Sequence, residues 1–190
     1  MKRSGFGQAS VLPHGGARRI AVALLFLCIM GLALFVRLYR IREETLHVDE
    51  SIILRGLLGL HERSFSEAFR VNREIDPPMT PVYFFFQYAW ARAAGLTVLR
   101  LHLLSVLFSA ATLATVFFIG RKLRDARTGL AAMFLLAASP IHVYYSLEIR
   151  NYALTALLGM LSLYTLLRGV ERPAWRVWAV NFAVDLLLGM

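Results

Sequence analysis

The chain predicts an all-α polytopic membrane protein, on three observations. Its 190 residues are 58% hydrophobic with a mean hydropathy of +0.59, beyond the usual soluble range. The apolar residues gather in runs at 20–36, 99–120, 130–145, 153–167 and 174–190, and a bilayer core needs about 20 such residues. The net charge of +9 is the third. The excess lies in 1–19, 120–128 and 168–176, all flanking apolar runs, while 37–98 balances eight arginines with eight carboxylates. Cations confined to such flanks follow the positive-inside pattern, so the basic balance implies a membrane and excludes nucleic acid as a partner.

The first run follows Arg18 and Arg19 and gives helix one over about 20–38. It is long for a signal peptide and passes into Arg37-Leu38-Tyr39-Arg40 with no small-residue cleavage pattern, so it reads as a retained anchor. Cys28 inside it has no second cysteine to pair with. Residues 1–17 read as a flexible cytoplasmic tail and 18–190 as the transmembrane module.

Segment 81–95 is apolar but short, holds Gln87 and Arg92, and opens on Pro81 just after Pro77 and Pro78. If it spanned, 120–128 and 168–176 would face away from the N-terminus. Lying at the interface, where Tyr83, Tyr88 and Trp90 suit it, it leaves all three basic segments on one cytoplasmic face. Residues 39–98 then form a large external loop with short juxtamembrane helices near 50–60, 64–70 and 81–95. Helices two to four follow over about 99–119, 129–146 and 152–168, and helix five starts near 174, for about five spans. That run stops at Met190 without a polar exit, which predicts a module incomplete at its C-terminus.

Several acidic segments meet water on the predicted external face, where carboxylates suggest chemistry. Asp49 and Glu50 follow helix one; Asp49 reads as a general base, a metal ligand or the N-cap of a helix through Ser51. Asp76 precedes Pro77 and Pro78, a rigid lead into 81–95. Helical spacing puts Tyr145, Glu148 and Tyr152 on one face and Arg150 on another unless the helix breaks; Arg150 suits a phosphate, and an interfacial aromatic belt with an ion pair is the plain alternative. No glycine-rich phosphate loop, Cys/His metal spacing or Gly-x-Ser-x-Gly occurs, so soluble nucleotide-sugar or ATP chemistry has no support.

In order, the Asp49-Glu50 pair, Asp76-Pro77-Pro78, an aromatic helix, Arg100, the turn Gly120-Arg121-Lys122-Leu123, and Ser139-Pro140 through Tyr152 resemble the N-terminal part of GT-C membrane glycosyltransferases. The likeness is to the protein-mannosyltransferase and aminoarabinose-transferase-like group. It implies transfer of a hexosyl or pentosyl unit from a polyprenyl-phosphate-linked sugar to a lipid, glycan or protein acceptor at the external face of the inner (plasma) membrane. By the same resemblance Asp49 is the base. Glu50, Asp76, Glu148, Arg150 and Tyr152 are donor-phosphate or substrate residues, and a divalent metal ion is possible at Asp49 and Glu148. The chain departs from the group in carrying Asp76 and Met79 where His-Pro-Pro-Leu is usual, with Thr80-Pro81 inserted. The competing readings are a non-catalytic or truncated membrane partner and a transporter. The latter predicts broken helices and ionisable residues inside the spans, for which the sequence offers Asp185 alone.

Overall fold

A computed structural model describes residues 14–41, 51, 54–55, 57, 64–75 and 80–189. Every element among them is a helix. They are α1 (His14–Ile41), α2 (Phe65–Ile75), α3 (Pro81–Ala94), α4 (Val98–Leu123), α5 (Ala126–Ala138), α6 (Pro140–Leu147), α7 (Tyr152–Glu171) and α8 (Trp175–Gly189). Within α1, α4 and α7 the stretches Gly16–Ile41, Val98–Leu123 and Tyr152–Glu171 are long and apolar enough to cross a bilayer, and the protein is a polytopic membrane protein. The first helix outruns the expected 20–38 at both ends.

The expected third span, 129–146, is not one helix. It is α5 and α6, bent by 64° at Ser139-Pro140. Proline has no N–H to give and its ring crowds the carbonyl four residues back, here Leu136, while its predecessor is pushed out of the helical region. Ser139 accordingly sits at φ −65° and ψ 120°. Its N–H turns back to the Leu136 carbonyl at 3.2 Å, and Pro140 opens α6. Counting the bent pair as one gives four crossings among the described residues, against about five expected. The last element, α8, has 15 residues there and falls short of bilayer length.

Segment 81–95 folds as expected into a short helix. Its 14 residues rise about 21 Å, less than the hydrocarbon core. Thr80 is extended and Pro81 opens the helix, while Gly95 at φ +94° ends it, its N–H on the Ala91 carbonyl. Any side chain at Gly95 would run into the Arg100 guanidinium. The rings of Tyr83 and Tyr88, expected to suit a membrane interface, turn toward protein. Both are buried with Phe84, Leu101 and Leu154 in a protein core that also takes Phe65 and Phe69 of or beside α2. Amphipathic rings serve that interior as readily as a headgroup layer, since Tyr83 OH receives the Gln87 amide at 2.6 Å.

Helix α4 is the hub, with α5 on one side and α7 on the other. Its turn into α5 is tight because Asp125 caps α5, accepting the Thr128 N–H at 2.8 Å and its hydroxyl at 2.9 Å. Beyond the turn the two backbones touch at Gly120 and Gly129. A Cβ on Gly120 would lie 2.8 Å from the Gly129 Cα, so only glycine permits this approach. Helix α8 returns along α7, where the buried Asn181 amide donates to the Ser162 carbonyl at 3.1 Å and the Thr165 hydroxyl at 3.0 Å. Such polar contacts fix helix pairs where apolar faces alone do not discriminate.

Candidate functional site

Two contacts set the ends of the bundle. His102, in the first turns of α4, bonds the Leu147 carbonyl at the end of α6. Lys122, in the last turn of α4, pairs with Glu171 in the last turn of α7. The two levels are separated by about 30 Å of helix, roughly a hydrocarbon core. The basic residues at 121–127 and 168–172 share the second end, and Arg18 and Arg19 join them by lining a cleft with Arg121. Glu148 and Arg150 lie at the first end, as the charge pattern requires if 81–95 does not cross.

At that first end α6, the turn 148–151 and α7 enclose a cleft of about 630 Å³. Its wall carries Ser109, Ser139, His142, Tyr145, Asn151 and Tyr152. The bend at Ser139-Pro140 creates it, because a straight continuation of α5 would carry His142 and Tyr145 off along another axis. The expected single helical face through Tyr145, Glu148 and Tyr152 is corrected. Helix α6 stops at Leu147, Glu148 is extended at ψ 141°, and α7 starts at Tyr152. Tyr145 and Tyr152 still meet, with ring centroids 4.6 Å apart, but across a turn. Glu148 and Arg150 are half-buried in that turn. Of the expected site residues, Tyr152 lines the cleft and Glu148 and Arg150 stand in the turn beside it. Asp49, Glu50 and Asp76 lie outside the described residues.

Behind the cleft sits a cation that sequence reasoning missed. Arg37 of α1 is 1% exposed. Its guanidinium donates to Ser109 Oγ at 3.0 Å, to the Ala33 carbonyl at 3.0 Å and to His142 Nδ1 at 2.8 Å. An arginine has no acceptor, so His142 must accept at Nδ1 and carry its proton at Nε2 when neutral. The planar fork holds three groups in fixed directions, something an ammonium on a flexible stem does not do. Arg37 thus ties α1 to α4 and to the far side of the α5–α6 bend, and Ser109 and His142 carry its contacts to the cleft wall. A signal for it was present: Ser105, Ser109 and Thr112 recur on one face of an otherwise apolar helix, and all three are buried.

Arg37 and the bend are an ionisable residue and a broken helix within spans, the two features a transporter predicts. Sealed from solvent and committed to three acceptors, however, Arg37 lines no pathway. For a metal, no three His, Cys, Asp or Glu side chains come together among the described residues. Glu148 is the one expected ligand among them; Asp49, the other, lies outside the described residues.

Comparison with known proteins gives a family match. The family model for dolichyl-phosphate-mannose-protein mannosyltransferases covers residues 81–190. No curated protein and no solved structure matches the chain. The matched segment runs from α3 to the end, takes in the bend, the cleft and the 148–151 turn, and covers more than half of the chain. With helices of bilayer length and this match, the chain belongs to the dolichyl-phosphate-mannose-protein mannosyltransferase family of membrane glycosyltransferases.

Proposed function

We propose that the chain acts in transfer of a sugar from a polyprenyl-phosphate-linked donor to a lipid, glycan or protein hydroxyl or amine at the external membrane face. The observation that carries this is the family match, which spans the cleft end of the bundle. Polyprenyl phosphate is a good leaving group, so the protein's tasks are to orient the sugar, to remove the acceptor proton and to neutralise charge on the departing phosphate. Asp49 takes the acceptor proton as the acceptor oxygen or nitrogen attacks the anomeric carbon. The bond from that carbon to the phosphate oxygen breaks, and the lipid phosphate leaves with the electron pair. Arg150, in the turn beside the cleft, is the guanidinium assigned to the phosphate oxygens. Tyr145 and Tyr152, exposed and in tilted contact, offer aromatic surface to the sugar or the first isoprene units. Glu50, Asp76 and Glu148 stand as further polar contacts to donor or acceptor.

The test is transfer from a labelled polyprenyl-phosphate sugar in membranes expressing the protein, comparing wild type with Asp49→Asn at matched expression. Loss of about a hundredfold or more in the variant supports a base at Asp49. Equal rates in the two would remove Asp49 from that role, and absence of transfer in the wild type would sink the reading for this chain.

A further inference from the structure

The end of the bundle away from the cleft holds a second pair of concavities. One, of about 830 Å³, lies between α1, α4 and α5; Arg18, Arg19 and Arg121 are at its mouth, and Val22, Phe26 and Phe118 are among its apolar lining. The other, of about 410 Å³, lies between the last turns of α4 and α7, with Arg121, Lys122, Arg168 and Arg172 around Phe118 and Tyr164. Arg121 and Phe118 belong to both, so the two hollows share a wall. Six cations therefore converge against one carboxylate, Glu171, which is already paired with Lys122. Among the described residues Arg18, Arg19, Arg121 and Arg172 have no ion-pair partner.

We infer that the cleft between α1, α4 and α5 is a binding site for an anionic glycerophospholipid. Its phosphate would sit on Arg18, Arg19 and Arg121, and its acyl chains would lie over Val22, Phe26 and Phe118. The adjoining α4–α7 hollow gives a second phosphate position through Arg121 and Arg172, suited to a lipid with two phosphates. Three properties select this occupant. The mouth is purely cationic while the lining is apolar, which matches a charged head on hydrocarbon chains and not a soluble anion. The cations stand about a helix length from the other end of the bundle, at headgroup depth. Guanidinium forks complement phosphate oxygens, and basic pockets between transmembrane helices on one face attract acidic lipid heads. Cations that merely set topology need only lie near the surface; these converge on hollows with aromatic floors.

The experiment uses the full chain in nanodiscs of phosphatidylcholine, with and without phosphatidylglycerol, and reads retained lipid by native mass spectrometry. The variant Arg18→Gln/Arg19→Gln/Arg121→Gln is compared with Arg124→Gln/Arg127→Gln/Arg176→Gln, which removes as much charge from the same end outside the hollows. Retained phosphatidylglycerol falls about tenfold or more in the first and stays near wild type in the second. A second variant, Ala23→Trp, plugs the apolar lining with no change in charge and lowers retention similarly. Equal losses in both charge variants, or unchanged retention in the first, would overturn the site. Preferential retention of added polyprenyl phosphate over phosphatidylglycerol would overturn it too, assigning the cleft to the donor. Neither arm reads transfer activity, so the result is independent of the proposed reaction.

Discussion

At the scale of single residues, the least expected feature is a cation sealed inside a membrane bundle. Arg37 stabilises through its three acceptors rather than through its charge, and removing it leaves Ser109 and His142 to find other partners. For Arg37→Met we expect a loss of about 1–3 kcal/mol, read as a lower thermal unfolding midpoint in detergent. Arg37→Lys should recover only part of it, because an ammonium does not reach three directions at once. A Met variant as stable as wild type would show the network to be ornamental. Asp125 gives a pH-dependent expectation. The Thr128 N–H and hydroxyl, first among its neighbours, hold its carboxyl below the ordinary value of 3.8. A folded value depressed in this way adds stability that is present above the unfolded pKa and lost as pH falls through the folded one. Asp125→Ala should therefore be less stable than wild type near neutrality. The gap should close on the acid side, seen by comparing unfolding midpoints across that window.

Among the elements, glycine decides how close two helices come. The α4–α5 contact tolerates no Cβ, since one on Gly129 would meet the Phe117 carbonyl and one on Gly120 the Gly129 backbone. Gly129→Leu should cost about 1–3 kcal/mol through overpacking. Gly159, whose Cβ would meet nothing within 4 Å, should accept Ala with no loss. Unfolding midpoints of the two variants check the contrast, and equal effects would remove the close approach as its cause. The sequence revealed these elements unevenly. Apolar run length located α1, α4 and α7 to within a few residues, because a bilayer imposes length directly. The break at Ser139-Pro140 is hidden in the sequence because hydropathy runs straight through it. For Arg37 the sequence holds only the indirect signal of the Ser105, Ser109 and Thr112 face, because its partners lie 72 and 105 residues away, on helices that touch α1 only after folding.

The whole molecule is polarised. One end carries the cleft and the 148–151 turn; the other gathers the basic turns and the two cationic hollows. Arg127→Cys and Asn151→Cys, each in a Cys28→Ser background, should react with a membrane-impermeant maleimide from opposite sides of sealed vesicles. Labelling of both from one side would break the arrangement. Glu148 follows Leu147 at the end of the bundle opposite the Lys122–Glu171 pair, and the 14-residue α3 is shorter than a hydrocarbon core. The brevity of α5 bears on how such a chain is made. Thirteen residues are too few to halt in a bilayer unaided, yet α5 follows α4 after a turn of two residues and seals against it through paired glycines. We expect α4 and α5 to enter the bilayer together as a hairpin, α5 held there by its contact with α4. A mutation at Gly120 or Gly129 is then felt at insertion, before any site exists to be lost.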